Sequence, residues 1–146
     1  YFNVSDDKIK SALENYTPSN SRSQLIEKDS NKIILDAYNA NPTSMKAAIE
    51  NFAKMEGADK VLILGGMMEL GEESIAEHEL IAALIDRYKW KSVVLVGGDF
   101  SKINHHYINF VTSTEAKTWL QEQHFTNTAM LIKGSRSMQM EKVLEP

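Results

Sequence analysis

Lys60-Val61-Leu62-Ile63-Leu64-Gly65-Gly66 and Ser92-Val93-Val94-Leu95-Val96-Gly97-Gly98 decide the fold. Each is a short apolar run that ends in a pair of glycines. A strand that is apolar toward both sides is buried on both sides, as happens in a parallel sheet covered by helices. Between the two runs lies Ser74–Tyr88, where Ile81, Leu84, Ile85 and Tyr88 recur at helical spacing. Strand, helix, strand in that order predicts a βαβ unit.

The alternation continues outward in both directions. Thr43–Glu56 predicts a helix with Met45, Ala48, Ile49, Phe52 and Met55 on one face and Gly57 as its C-terminal cap. Ahead of it, strand candidates Gln24–Glu27 and Lys32–Leu35 flank a polar Lys28-Asp29-Ser30-Asn31 suited to a hairpin turn. On the other side come a weaker strand Ile108–Val111, a helix Glu115–Gln123, a strand Ala129–Ile132 and a last helix Ser135–Leu144. The expected class is α/β: a mostly parallel six-stranded sheet with helices on both faces and right-handed crossovers. Residues 1–20 are expected to form an N-terminal helix (Ser5–Tyr16, with Ile9, Ala12, Leu13 and Tyr16 on one face) and a turn-rich connector. Residues 21–146 are expected to form the domain.

Composition narrows the function classes. The chain has 146 residues, enough for one domain with a real core. A net charge of −4 gives no basic excess for a nucleic-acid partner. With no cysteine there is no disulfide scaffold and no cysteine-ligated metal, which fits a reducing cytoplasm. No apolar run approaches the roughly 18 residues of a membrane span, and no secretory signal opens the chain. The chain begins at Tyr1 rather than methionine and is expected to be a piece of a longer protein.

Six glycines, Gly65, Gly66, Gly71, Gly97, Gly98 and Gly134, follow the carboxyl ends of predicted strands. That is the ligand edge of an open α/β sheet. Glycine there lets backbone approach a ligand and exposes N–H groups, although strand-to-helix turns need glycine in either case. Three segments at this edge carry candidate groups. In Asp36-Ala37-Tyr38-Asn39-Ala40-Asn41-Pro42, Asn41 suits an N-cap and Pro42 a first helical position. Asp36 and Asn39 are then expected as exposed polar groups, the first able to accept from ribose hydroxyls. In Lys133-Gly134-Ser135-Arg136, Ser135 is expected to cap the last helix. Arg136 is placed against the helix dipole, an arrangement that favours a nearby anion. In Gly65-Gly66-Met67-Met68-Glu69-Leu70-Gly71, the methionines and leucine are expected mainly to cover the core. His78, beside the apolar stripe of the next helix, is expected to be a hydrogen-bonded structural residue. His105 and His106 lack a spaced acidic partner, so no metal site is expected in this chain. There is no G-x-x-x-x-G-K-[ST] phosphate loop and no G-x-G-x-x-G.

These motifs resemble those of the Mur ligases that add D-alanyl-D-alanine. Asp36 to Met45 is similar to the family's D-x-Y-N-A-N-P-x-S-M, and Gly65 to Gly71, followed by His78, to G-D-M-x-E-L-G. Lys133 to Arg136, with Met140-Glu141 after it, is similar to K-G-S-R…M-E. The likeness runs from about Arg22 onward. Gly66 departs from it, standing where the family usually has aspartate. The resemblance implies a Rossmann-like third domain of a three-domain cytoplasmic bacterial enzyme. The N-terminal and central domains, with the phosphate loop and magnesium ligands, would lie outside this chain. It implies that ATP and magnesium are used by the full-length enzyme and that D-alanyl-D-alanine is joined to a UDP-muramoyl tripeptide. The fragment alone would be inactive. Asp36, Asn39 and Arg22 would serve the nucleotide, with Asn39 also near the dipeptide. Asn41, Lys133, Ser135 and Arg136 would serve the substrate, and no catalytic base is assigned. Open alternatives are the matching domain of another Mur ligase or of folylpolyglutamate synthase, or a free-standing α/β ligand-binding module.

Overall fold

The chain enters its sheet through a hairpin. Strand β1 (Gln24–Lys28) pairs antiparallel with β2 (Asn31–Asp36). The two residues between them, Asp29 and Ser30, both adopt positive φ (52° and 64°), as the tightest hairpin turns require. A computed structural model describes residues 24–55 and 59–146. The expected Ser5–Tyr16 helix, its connector, Arg22 and the Gly57 cap lie outside the described residues.

The remaining elements are α1 (Pro42–Ala53), β3 (Asp59–Gly65), α2 (Ser74–Ile85), β4 (Ser92–Val96), β5 (Ile108–Phe110), α3 (Ser113–Gln123) and β6 (Thr128–Lys133). The sheet order is β1-β2-β6-β3-β4-β5, and every pairing after the first is parallel. Alternation along the strands splits the core. Ile34, Leu62, Leu64, Leu95 and Leu131 pack against Met45, Ile49 and Phe52 of α1 and Ile81 and Ile85 of α2. Ile33, Val61, Ile63, Val94, Met130 and Ile132 pack on the other side with Ala116 of α3, Met140 and Val143. Helices therefore cover both faces.

Helix α1 carries the chain from β2 past β6 to β3, and α2 carries it on to β4. Helix α3 returns it in the opposite direction, on the opposite face, from β5 to β6. Opposite directions on opposite faces give all three crossovers the same hand. Beyond β2 the chain turns to the α1 face, whereas beyond β6 it turns to the α3 face, where Met140 and Val143 are buried. The crevice between the carboxyl ends of neighbouring strands β2 and β6 is therefore a switch point, as is the boundary between β6 and β3, and such points are where these sheets take ligands.

The last predicted helix, Ser135–Leu144, is not an α-helix. It is a pair of short 3-10 turns, Arg136–Met138 and Met140–Leu144, broken at Gln139 by a left-handed backbone (φ 52°, ψ 48°). Helix α2 also stops three residues early, at Ile85. Its carbonyl there takes the Trp90 indole N–H at 2.9 Å, and Tyr88 closes a turn rather than continuing the helix.

Candidate functional site

Register places Asp36, the last residue of β2, directly beside Lys133, the last residue of β6. The Lys133 ammonium donates to Asp36 Oδ2 at 2.6 Å and to the Asn39 carbonyl at 3.0 Å. Lys133 is fully buried and Asp36 is 2% exposed. This corrects the expectation of an exposed Asp36. Removing a charge from water is tolerated here because the opposite charge is removed with it. It also moves Lys133 from the place expected for it at a substrate carboxylate to a place under the β2–α1 loop, which it ties down.

The strand-end glycines are mostly spent on the sheet. Gly134 N–H donates to Asp36 O, Gly66 N–H to Val96 O, and Gly97 N–H to Phe110 O, while Ser135 N–H reaches Gly66 O. The ladder thus runs past the strand ends, and these N–H groups do not face an anion. Close packing is a further role for Gly66 and Gly134, beside the ligand approach and the turn formation that the sequence suggested. A Cβ on Gly66 would lie 2.8 Å from Gly98 Cα, and one on Gly134 would lie 3.0 Å from Gly65 Cα. At Gly66, where the resembling family has aspartate, the backbone at Gly98 occupies the space a side chain would need.

The loop after β3 is anchored from below. Met67 is buried and its N–H donates to His78 Nε2 at 3.0 Å, while His78 Nδ1–H donates to the Ser74 carbonyl at 2.7 Å. Phe100 meets the imidazole edge-on at 4.6 Å between centroids. His78 is structural, as its sequence position suggested, and Met68 alone of the loop's methionines is exposed. A hydrogen bond from the Ser74 side chain, at the start of α2, holds the Asp99 carboxyl below its ordinary range.

The exposed rim of the β2–β6 crevice carries Tyr38, Asn39, Asn41 and Arg136. Asn41 caps α1: its Oδ1 accepts from Ser44 N–H at 2.8 Å, and Ser44 Oγ accepts from Asn41 N–H at 3.1 Å. Ser135 caps nothing; it is nearly buried, with its hydroxyl 3.2 Å from that of Ser137. With no α-helix behind Arg136, the dipole argument for it falls away. The guanidinium instead lies over the Tyr38 ring, 5.4 Å from its centroid. Tyr38 stands in the quoted motif without a role assigned from the sequence. Its signal was an aromatic two residues past a strand end, in a loop otherwise polar or small. Among the described residues, no group of three His, Cys, Asp or Glu could hold a metal ion.

An open, mostly parallel sheet with a polar, arginine-bearing crevice at a switch point defines a Rossmann-like α/β domain. Residues 21–136 match the Mur ligase, glutamate ligase domain, and the chain belongs to that family. It is 35% identical to the UDP-N-acetylmuramoyl-tripeptide–D-alanyl-D-alanine ligase of Bacillus subtilis, over 99% of this chain and 34% of that protein. It is 36% identical to the Escherichia coli enzyme of the same name, over 94% of this chain and 32% of that protein. Among solved structures it is similar to MurF of Acinetobacter baumannii, with a TM-score of 0.74 and 31% identity over 90% of this chain and 30% of that one. The fold is shared as well with the MurF ligase of Thermotoga maritima in complex with ADP, with a TM-score of 0.74 and 24% identity over 90% of this chain and 31% of that one. The chain spans about a third of the length of these relatives.

Proposed function

We propose that the chain is the C-terminal domain of an ATP-dependent ligase that joins D-alanyl-D-alanine to a UDP-N-acetylmuramoyl tripeptide. The observation that carries this reading is spatial. The Asp36–Asn41 and Lys133–Arg136 segments, 97 residues apart from Asp36 to Lys133, leave the sheet side by side at the β2–β6 crevice. The relatives of that name match nearly the whole chain.

In this reading the tripeptide carboxylate attacks the γ-phosphorus of ATP, releasing ADP and forming an acyl phosphate. The dipeptide amine adds to the carbonyl carbon. The C–O bond to phosphate then breaks, phosphate leaves, and the nitrogen loses a proton. This domain contributes position and shelter: it brings the amine to the acyl phosphate and excludes the water that would hydrolyse it. Asp36 is assigned to the ATP ribose, and Asn39 and Asn41 to the phosphates and the incoming dipeptide. Arg22 is assigned to the nucleotide, and Ser135 and Arg136 to the dipeptide's anionic end. Lys133 acts through Asp36 and Asn39. The phosphate loop, the magnesium ligands and the tripeptide site belong to the central and N-terminal domains. The setting is the bacterial cytoplasm, in keeping with the absence, among the described residues, of a helix long and apolar enough to cross a membrane.

The full-length protein, given ATP, magnesium and UDP-muramoyl tripeptide, should release one phosphate per amide bond only when D-alanyl-D-alanine is present. Mass spectrometry should show the pentapeptide product. Ligation of a single amino acid instead of the dipeptide would assign the domain to another ligase. No ligation with any amine would favour a free-standing binding module.

A further inference from the structure

The two cations that follow β6 are differently placed. Lys133 is fully buried and its charge is matched by Asp36 at 2.6 Å. Arg136, three residues on, is exposed, and no carboxylate among the described residues forms an ion pair with it. Among the described residues it meets the Tyr38 ring, 5.4 Å from its centroid. A carboxylate would occupy the N–H edge of the guanidinium and cancel its charge. A ring face attracts the cation without neutralising it, and so leaves the charge and N–H donors for a ligand.

Tyr38 is itself held in place. Asp36, two residues before it, and the Asn39 carbonyl, one residue after it, both accept from Lys133 Nζ–H, at 2.6 and 3.0 Å. The loop is thus pinned on both sides of the tyrosine by a buried ammonium. Support passes from Lys133 to the β2–α1 loop, from that loop to the Tyr38 ring, and from the ring to Arg136.

We infer that Tyr38 is a positioning residue that aims the Arg136 fork at the carboxylate of the incoming dipeptide. The inference rests on the ligase reading above and deepens it: the anion falls to Arg136, and the buried lysine serves as the loop's anchor. Tyr38 is 42% exposed, so its replacement leaves the core intact.

Two measurements test it. In the 146-residue chain, the Arg136 side-chain protons should show an upfield ring-current shift by NMR that Tyr38→Ala abolishes and Tyr38→Phe retains. Absence of that shift in the parent chain overturns the inference and leaves the ligase reading standing. In the full-length ligase, Tyr38→Ala should raise the dipeptide KM by about two- to fivefold, the range of an exposed cation–π contact, with the ATP KM little changed. Tyr38→Phe should restore most of that loss, and Tyr38→Ala should add nothing in an Arg136→Ala background. Equal rises in both KM values, a lost melting temperature without a KM split, or an undiminished effect in the Arg136→Ala background would each overturn it. A full-length protein that ligates no dipeptide overturns the ligase reading, and this role for Tyr38 with it.

Discussion

Gly66 shows how one atom can settle a residue's identity. Its φ is not in the left-handed region, so any residue could adopt its backbone, yet a Cβ would lie 2.8 Å from Gly98 Cα and 3.2 Å from Gly97 O. Backbone cannot yield as a flexible side chain does. Gly66→Ala should therefore cost about 1–3 kcal/mol as overpacking, read from the shift of a urea midpoint. An unchanged midpoint would mean that the loop after β4 retreats at no cost. The Asp36–Lys133 pair makes the opposite case, where removal does the harm. Lys133→Met leaves a carboxylate buried beside an apolar chain and should cost about 3–5 kcal/mol in the same measurement. Combining it with Asp36→Asn should cost less than the sum of the two single changes, because the stranded charge goes too. The sequence marked both residues as candidates but not their union. Their pairing depends on β6 lying next to β2, and nothing in the alternation of apolar runs says which strands will be neighbours.

Asn41 combines a capping role with a proposed binding role. It closes the first turn of α1 through a reciprocal bond with Ser44, and it stands on the crevice rim. Asn41→Ala removes the cap and should lower stability by about 0.5–2 kcal/mol. Asn41→Ser keeps an acceptor for the Ser44 N–H and loses only the amide, so its stability should stay within a few tenths of a kcal/mol of the parent. If Asn41→Ser in the full-length ligase still lowers kcat/KM for the dipeptide, the amide binds; if kinetics follow stability alone, the residue is only a cap. Elements of this kind were legible because their signals are local. The Asn-x-x-Ser box and Pro42 set the start of α1, and two-faced apolar runs marked β3 and β4. The segment after β6 was not legible. Met140, Val143 and Leu144 suit a helical stripe, and a 3-10 turn buries Met140 and Val143 equally well. The left-handed Gln139 that separates the two turns has no glycine to announce it.

Across the molecule, the direction of each crossover decides where chemistry can collect. The chain leaves β2 toward one face and β6 toward the other, and the groups the crevice offers can be counted among the described residues. The N–H groups of Gly66, Gly97 and Gly134 are used by the sheet, and Lys133 is neutralised by Asp36. Arg136 is the exposed cation of the strand-end segments, and the phosphate-loop pattern is absent from the 146 residues. A triphosphate needs several converging N–H donors and cations to offset its charge. Arg136 and a few amides, even with Arg22 added, can take a carboxylate end or touch a nucleotide, but without a phosphate loop they cannot stabilise the charge that develops during phosphoryl transfer. The chain by itself should therefore hydrolyse no ATP above the uncatalysed background, measured by phosphate release at millimolar nucleotide with magnesium present. Steady turnover by this chain, lost on Arg136→Ala, would mean that the crevice holds the whole phosphate site and not one wall of it.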